Sequence, residues 1–171
     1  MPEASSENWP AFEMAQLHGP HAEDPNWDGP DLVLEVPRGM LGAAYQAASS
    51  LTQITQAGNR RLVKFGSTGL FGSILLDAES GIVVKLEKDA GDVGFVNSSL
   101  SAFAEAVEMV IEKFPFYGSD CNDDDWVTAA RDMENSLRSI DPISVSQGSF
   151  WGTFISDVEI GDYSTEDVLG W

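Results

Sequence analysis

Apolar positions recur at two different periods along this chain, and the change from one to the other predicts its architecture. DLVLEV (31–36), RRLVKFG (60–66) and FGSILLDAESGIVVKLE (71–87) are short, β-branched-rich runs bounded by Gly, Pro or Asp, which marks strands. The last of them places two such runs around Asp77-Ala78-Glu79-Ser80-Gly81 and predicts a hairpin, with Gly81 available for a positive φ. From Leu100 the spacing lengthens. Leu100, Phe103, Val107, Val110, Ile111 and Phe114 share one face of a helix that Phe114-Pro115 ends. Trp126, Ala130, Met133, Leu137 and Ile140 share a face of a second helix, stopped by Asp141-Pro142. Phe150, Trp151, Phe154, Ile155 and Val158 predict a third, short one. Strands first and helices afterwards predict an α+β fold, an antiparallel sheet flanked by helices.

Two stretches fit this scheme less well. In residues 40–55, Leu41, Tyr45, Ala48 and Leu51 have helical spacing, but Ser49, Ser50 and Thr52 dilute it. Residues 1–30 are a Pro-rich acidic arm, with Pro2, Pro10, Pro20, Pro25 and Pro30 breaking regular structure. Within the arm, WPAFEMAQL (9–17) is expected to form a short helix after Pro10, and Trp9, Phe12 and Trp27 are expected to dock part of it on the domain. The remainder, 31–171, is expected to be the α+β domain, and the whole chain of 171 residues, 43% apolar, is long enough to bury one core.

Where strand period gives way to helix period stands FVNSSL, with Asn97, Ser98 and Ser99 between apolar residues. A helix leaves its first N–H groups without partners, and Ser and Asn side chains accept from them. Ser98 is expected to cap the helix, with Asn97 helping the chain turn. A serine nucleophile would need a base, and the two histidines, His18 and His21, lie far off in the arm, without a third ligand that would make them a metal pair. Gly66, Gly69 and Gly72 are spaced by three, lead into a strand and precede no Lys-Ser/Thr pair, so they are turn glycines rather than a phosphate loop. DCNDDDW (120–126) offers Asp120, Asn122 and Asp124 at the first ligand positions of a calcium loop, but Asp125 and Arg131 stand where Gly and Glu belong. One of these acids is expected to cap the second helix. The surplus carboxylates, beside Tyr117 and Trp126 taken as exposed, are either a solvated helix start or a grip for a basic partner. No residue constellation for catalysis, metal or cofactor emerges, which points away from an enzyme.

Charge sharpens the choice of partner. The formal net charge is −19, from 28 acidic and 9 basic residues, and all the cations lie between Arg38 and Arg138. Such a field repels nucleic acid and anionic membranes and favours basic partners, unless it serves solubility alone. Arg60, Arg61, Lys64, Lys85 and Lys88 cluster in the middle of the chain, which argues against uniform mimicry of a nucleic acid. Cys121 is the single cysteine, MPEASSENWP lacks a leader's apolar stretch, and no run has membrane-spanning length, so a cytoplasmic protein, monomeric when free, is expected.

The order of motifs LVKFGSTGLFGSILLDAESGIVVKL, FVNSSLSAFAEAV, LRSIDP and GSFW, with VPRG at 36–39, resembles the fourth branch of the SUKH superfamily of bacterial immunity proteins. The likeness covers roughly residues 35–158. It leaves the arm unmatched and has Ser101 where an acid would complete a capping box with Ser98. It implies a sheet flanked by helices, with strand and loop rather than helix at 40–55. It also implies a non-enzymatic protein that binds and neutralises a cognate toxin by stoichiometric occlusion, the paired toxins including nucleases and nucleic-acid deaminases with basic grooves. The residues expected to contact the toxin are Tyr117, Asp120, Asp123, Asp124, Asp125 and Trp126. A regulatory scaffold of the same fold, binding host proteins, is the alternative.

Overall fold

The computed structural model describes residues 9–20, 24–54, 60–88 and 93–169. His21 therefore lies outside the described residues. Five strands, β3 (Gln46–Ile54), β4 (Leu62–Thr68), β5 (Gly72–Asp77), β6 (Val83–Glu87) and β7 (Val93–Asn97), pair in sequence order into one antiparallel sheet. Two further strands, β1 (Met14–Gly19) and β2 (Leu32–Pro37), form an antiparallel ribbon of their own. Helices α1 (Leu100–Lys113), α2 (Asp123–Ile140), α3 (Phe150–Glu159) and α4 (Thr165–Leu169) follow the strands. The fold is α+β, a single domain.

The main core lies between the sheet and the helices. Val63, Phe65, Ile74, Val83 and Val96 point from the sheet towards Phe103, Val107 and Val110 of α1, Met133 and Leu137 of α2, and Trp151, Phe154 and Val158 of α3. At its centre Phe103 meets Tyr45 at 5.0 Å, Phe65 at 5.7 Å and Trp151 at 6.2 Å between ring centroids. The Tyr45 hydroxyl donates to the Pro37 carbonyl at 2.8 Å, so this buried phenol keeps a partner, and burial raises its pKa. On the opposite face of the sheet Leu62, Leu75 and Val84 form a second, smaller cluster drawn from the sheet and the turn before β6.

Two sequence expectations change here. WPAFEMAQL is not a helix: its second half belongs to β1, where Leu17 and Gly19 are buried and Gln16 and His18 exposed, the period of a strand. Pairing with β2 satisfies both backbones, and that tertiary gain outweighs the helix-start signal of Pro10. Of the three glycines read as turn residues, only Gly69 sits in a turn, at φ +58; Gly66 lies within β4 and Gly72 opens β5. Residues 40–54, the described part of that stretch, resolve into a 3-10 turn at Gly42–Ala44 followed by β3, as the resemblance implied.

Candidate partner-binding surface

Polar residues of this protein fall into two kinds of site, one buried and one exposed. The buried one forms at the β7–α1 junction. Asp141, 4% exposed at the end of α2, receives Asn97 Nδ2 at 3.0 Å, Ser98 N at 2.7 Å and Ser98 Oγ at 2.8 Å. Asn97 in turn accepts the indole N–H of Trp151 at 2.8 Å. The Asp141 carbonyl accepts from Ser144 Oγ, and the Ser144 carbonyl from Ser149 Oγ, each at 2.8 Å. The motifs FVNSSL, IDP and GSFW thus converge on one hydrogen-bonded clip that ties β7, α2 and α3 together. Every group in it that burial would otherwise strand has a partner.

This clip corrects the capping assignment. The N-cap of α1 is Ser99, whose side chain accepts from Ala102 N at 3.0 Å, not Ser98. Ser98 is unavailable because its hydroxyl and N–H both donate to Asp141, and Asn97 is a buried bridge rather than a turn residue alone.

The exposed site is the start of α2. Asn122 is the N-cap; its Oδ1 accepts from Asp124 N at 2.9 Å and Asp125 N at 3.2 Å, while Asp125 Oδ2 accepts from Asn122 N at 2.9 Å. The capping residue is therefore the amide, not one of the acids, and Asp125 closes a capping box. Asp120, Asp123, Asp124 and Asp125 are all exposed. A helix N-terminus carries about half a positive charge, so four carboxylates leave a large negative surplus there.

The two aromatics are not the exposed anchors expected. Trp126 is half-buried; its Nε1–H donates to Cys121 Sγ at 3.1 Å, and Gly161, at φ +88, lies so close that a Cβ there would meet the ring at 2.9 Å. Tyr117, also half-buried, sits 6.3 Å from Trp126, and its hydroxyl has no hydrogen-bond partner of good geometry, only the Tyr163 backbone nearby. Burial first, then the charges around it, raises its pKa.

An open groove of about 490 Å³ runs beside this helix start, lined by Tyr117, Asp120, Cys121, Asp125, Thr128 and Asp132, among others. It brings together three of the expected residues, Tyr117, Asp120 and Asp125; Asp123, Asp124 and Trp126 lie outside its lining. Asp132 went unread in the sequence, although it stands seven residues after Asp125, on the same helix face.

A second acidic stretch also escaped sequence reading: Asp157, Asp162 and Asp167 share a groove of about 510 Å³ with Tyr163. Burial, then the neighbouring Asp162, raises the Asp157 pKa, and burial pushes Tyr163 up to about 12. Gly161 lies against the Trp126 ring, and the charges of Asp162 and Asp167 contribute to raising Tyr117, so the second acidic stretch adjoins the first. The spacing of five between these acids, spread over α3, a turn and α4, follows no element's period.

Among the described residues no group of three or more His, Cys, Asp or Glu side chains converges to hold a metal ion, and no helix is long and apolar enough to cross a membrane. His18 is exposed on β1. A family model described as SUKH-4 immunity protein matches residues 36–157. No match was found among curated proteins or among solved structures.

Proposed function

The chain belongs to the SUKH-4 immunity protein family, and we propose that it protects a cell by binding a cognate protein toxin and occluding it in a stoichiometric complex. We propose further that the toxin is basic, a nuclease or nucleic-acid deaminase whose substrate groove is positive. The observation that carries this reading is the exposure of Asp120, Asp123, Asp124 and Asp125 around the start of α2, with the exposed Asp162 and Asp167 on the neighbouring stretch that packs on Trp126 through Gly161. Exposed carboxylates of one sign raise the association rate with a basic partner and occupy the space its polyanionic substrate needs. Tyr117 offers the groove a half-buried aromatic wall, and Trp126 supports it from behind through Cys121 and Gly161.

A protective complex of nanomolar affinity requires about −12 kcal/mol, which an interface of about 1,600 Å² can supply. Co-expression with a toxin domain encoded beside this chain, taken as the cognate toxin, tests the reading. Survival of the cells and co-purification of a 1:1 complex are expected. Absence of both rescue and complex would instead favour the regulatory scaffold that binds host proteins.

A further inference from the structure

The most exposed large apolar residue of the described chain is Leu70, at 89%, and its neighbour Phe71 is 63% exposed. They sit in the β4–β5 turn, which is pinned on both sides: Gly69 N–H donates to the Ala43 carbonyl at 2.7 Å, and Lys88 N–H donates to the Phe71 carbonyl at 3.1 Å. A pinned turn holding two adjacent apolar side chains in water forgoes their burial, a feature typical of contact sites. Beneath the turn, on the sheet face away from the main core, opens a groove of about 660 Å³, bordered by Ile54, Leu70, Phe71, Leu86, Lys64 and Lys88. Among the described residues no carboxylate lines it, and neither lysine makes an ion pair. In a chain of net charge −19, the charged side chains among the described lining residues are both cations, Lys64 and Lys88.

We propose that this groove is a second docking surface, built for an acidic segment of a protein partner that carries apolar anchors. Leu70, Phe71, Ile54 and Leu86 would bury the anchors, and Lys64 and Lys88 would meet the carboxylates, the pairing of apolar centre and complementary charge found in specific interfaces. A nucleic acid is disfavoured, because a polyanion must approach through the field of the whole chain whereas a short acidic segment needs to match only the groove. The proposal is independent of the toxin reading: the acidic surface selects a basic partner and this groove an acidic one.

The test titrates the isotope-labelled full chain with a synthetic peptide of alternating Glu and Leu-Phe pairs, with the same peptide carrying Gln for Glu, and with oligothymidylate, following backbone amides by NMR. Expected are shifts confined to residues 64, 70–73 and 86–88 with the Glu peptide, and binding about tenfold weaker with the Gln peptide. The same loss is expected in L70S/F71S and in K64Q/K88Q, whose side chains lie outside the main core and whose remaining spectra should be unchanged. No shifts at these residues, equal binding of the Glu and Gln peptides, or displacement of the Glu peptide by oligothymidylate would each overturn the proposal.

Discussion

Asp141 and the acids that open α2 are the same residue type on the same helix, one at its end and four around its start, yet they have opposite environments. Asp141 is buried and accepts three hydrogen bonds from two consecutive residues. Asp120, Asp123, Asp124 and Asp125 are exposed, and of them only Asp125 accepts a bond from the backbone, within its own capping box. The first is a joint of the fold, the others a surface charge. The residues that make the family legible, Asn97, Asp141 and Trp151 among them, are thus those that hold the layers together. They carry no information about which toxin is bound. On the proposed reading that choice falls to exposed residues between the motifs, where a substitution costs the fold little.

Substitutions at the two ends of α2 should separate these roles. Asp141→Ala strands the Asn97 amide and the Ser98 donors; with each orphaned buried donor costing roughly 1–3 kcal/mol and Ser98 within reach of water, a loss of about 2–4 kcal/mol is expected in urea unfolding. Trp151→Phe keeps most of the buried ring but leaves Asn97 Oδ1 unpaired, and should cost about 1–3 kcal/mol. Both variants, where folded, should associate with a partner at the rate of the parent chain. A mutant at residue 141 as stable as the parent would break the comparison from the structural side.

Asn122→Ala removes the cap without touching a charge. A loss of about 1 kcal/mol is expected by thermal or urea unfolding, with no change in association rate. The smallest effects concern pH and run in opposite directions at two other carboxylates. Burial alone would raise Asp77, but the Arg60 hydrogen bond and the Ser80 and Glu79 N–H groups hold it below its ordinary value. Its contribution is therefore complete above the ordinary carboxylate range and lost as pH falls through the lowered value. Asp157 is raised, so its folded form holds the proton more tightly and stability declines as pH rises from the ordinary value through the raised one. Asp157→Asn should remove that decline and stabilise the protein at neutral pH by less than about 1 kcal/mol, whereas Asp77→Asn should flatten only the acid limb. Stability measured against pH in the two variants checks both signs.

Much of the fold was legible because apolar period and helix stops agree with tertiary packing. The faces predicted for α1 and α2 are the ones that bury Phe103, Val107 and Val110 and Ala130, Met133 and Leu137. The errors arose where a distant partner decides the outcome. β1 is a strand because β2 lies beside it, and Ser98 fails as a cap because Asp141, forty-three residues away, claims its hydroxyl. The acidic residues were half legible: consecutive Asp residues stand out in a sequence, whereas Asp162 and Asp167 come near them through the fold, where Gly161 packs on Trp126. The half-burial of Tyr117 and Trp126 had no sequence signal, since an aromatic beside acids reads as surface until the turn after α3 is seen to cover it.

The most direct test of a fold-holding clip and a partner-choosing surface is a stopped-flow measurement. It compares association of a cognate toxin domain with the parent and with the D120N/D123N/D124N/D125N variant, at low and at physiological salt. The account predicts an association rate at least about tenfold lower for the variant at low salt, convergence of the two as salt rises, and unfolding stability within about 1 kcal/mol of the parent. Equal rates at low salt would contradict it, and would place the toxin contact elsewhere on the molecule.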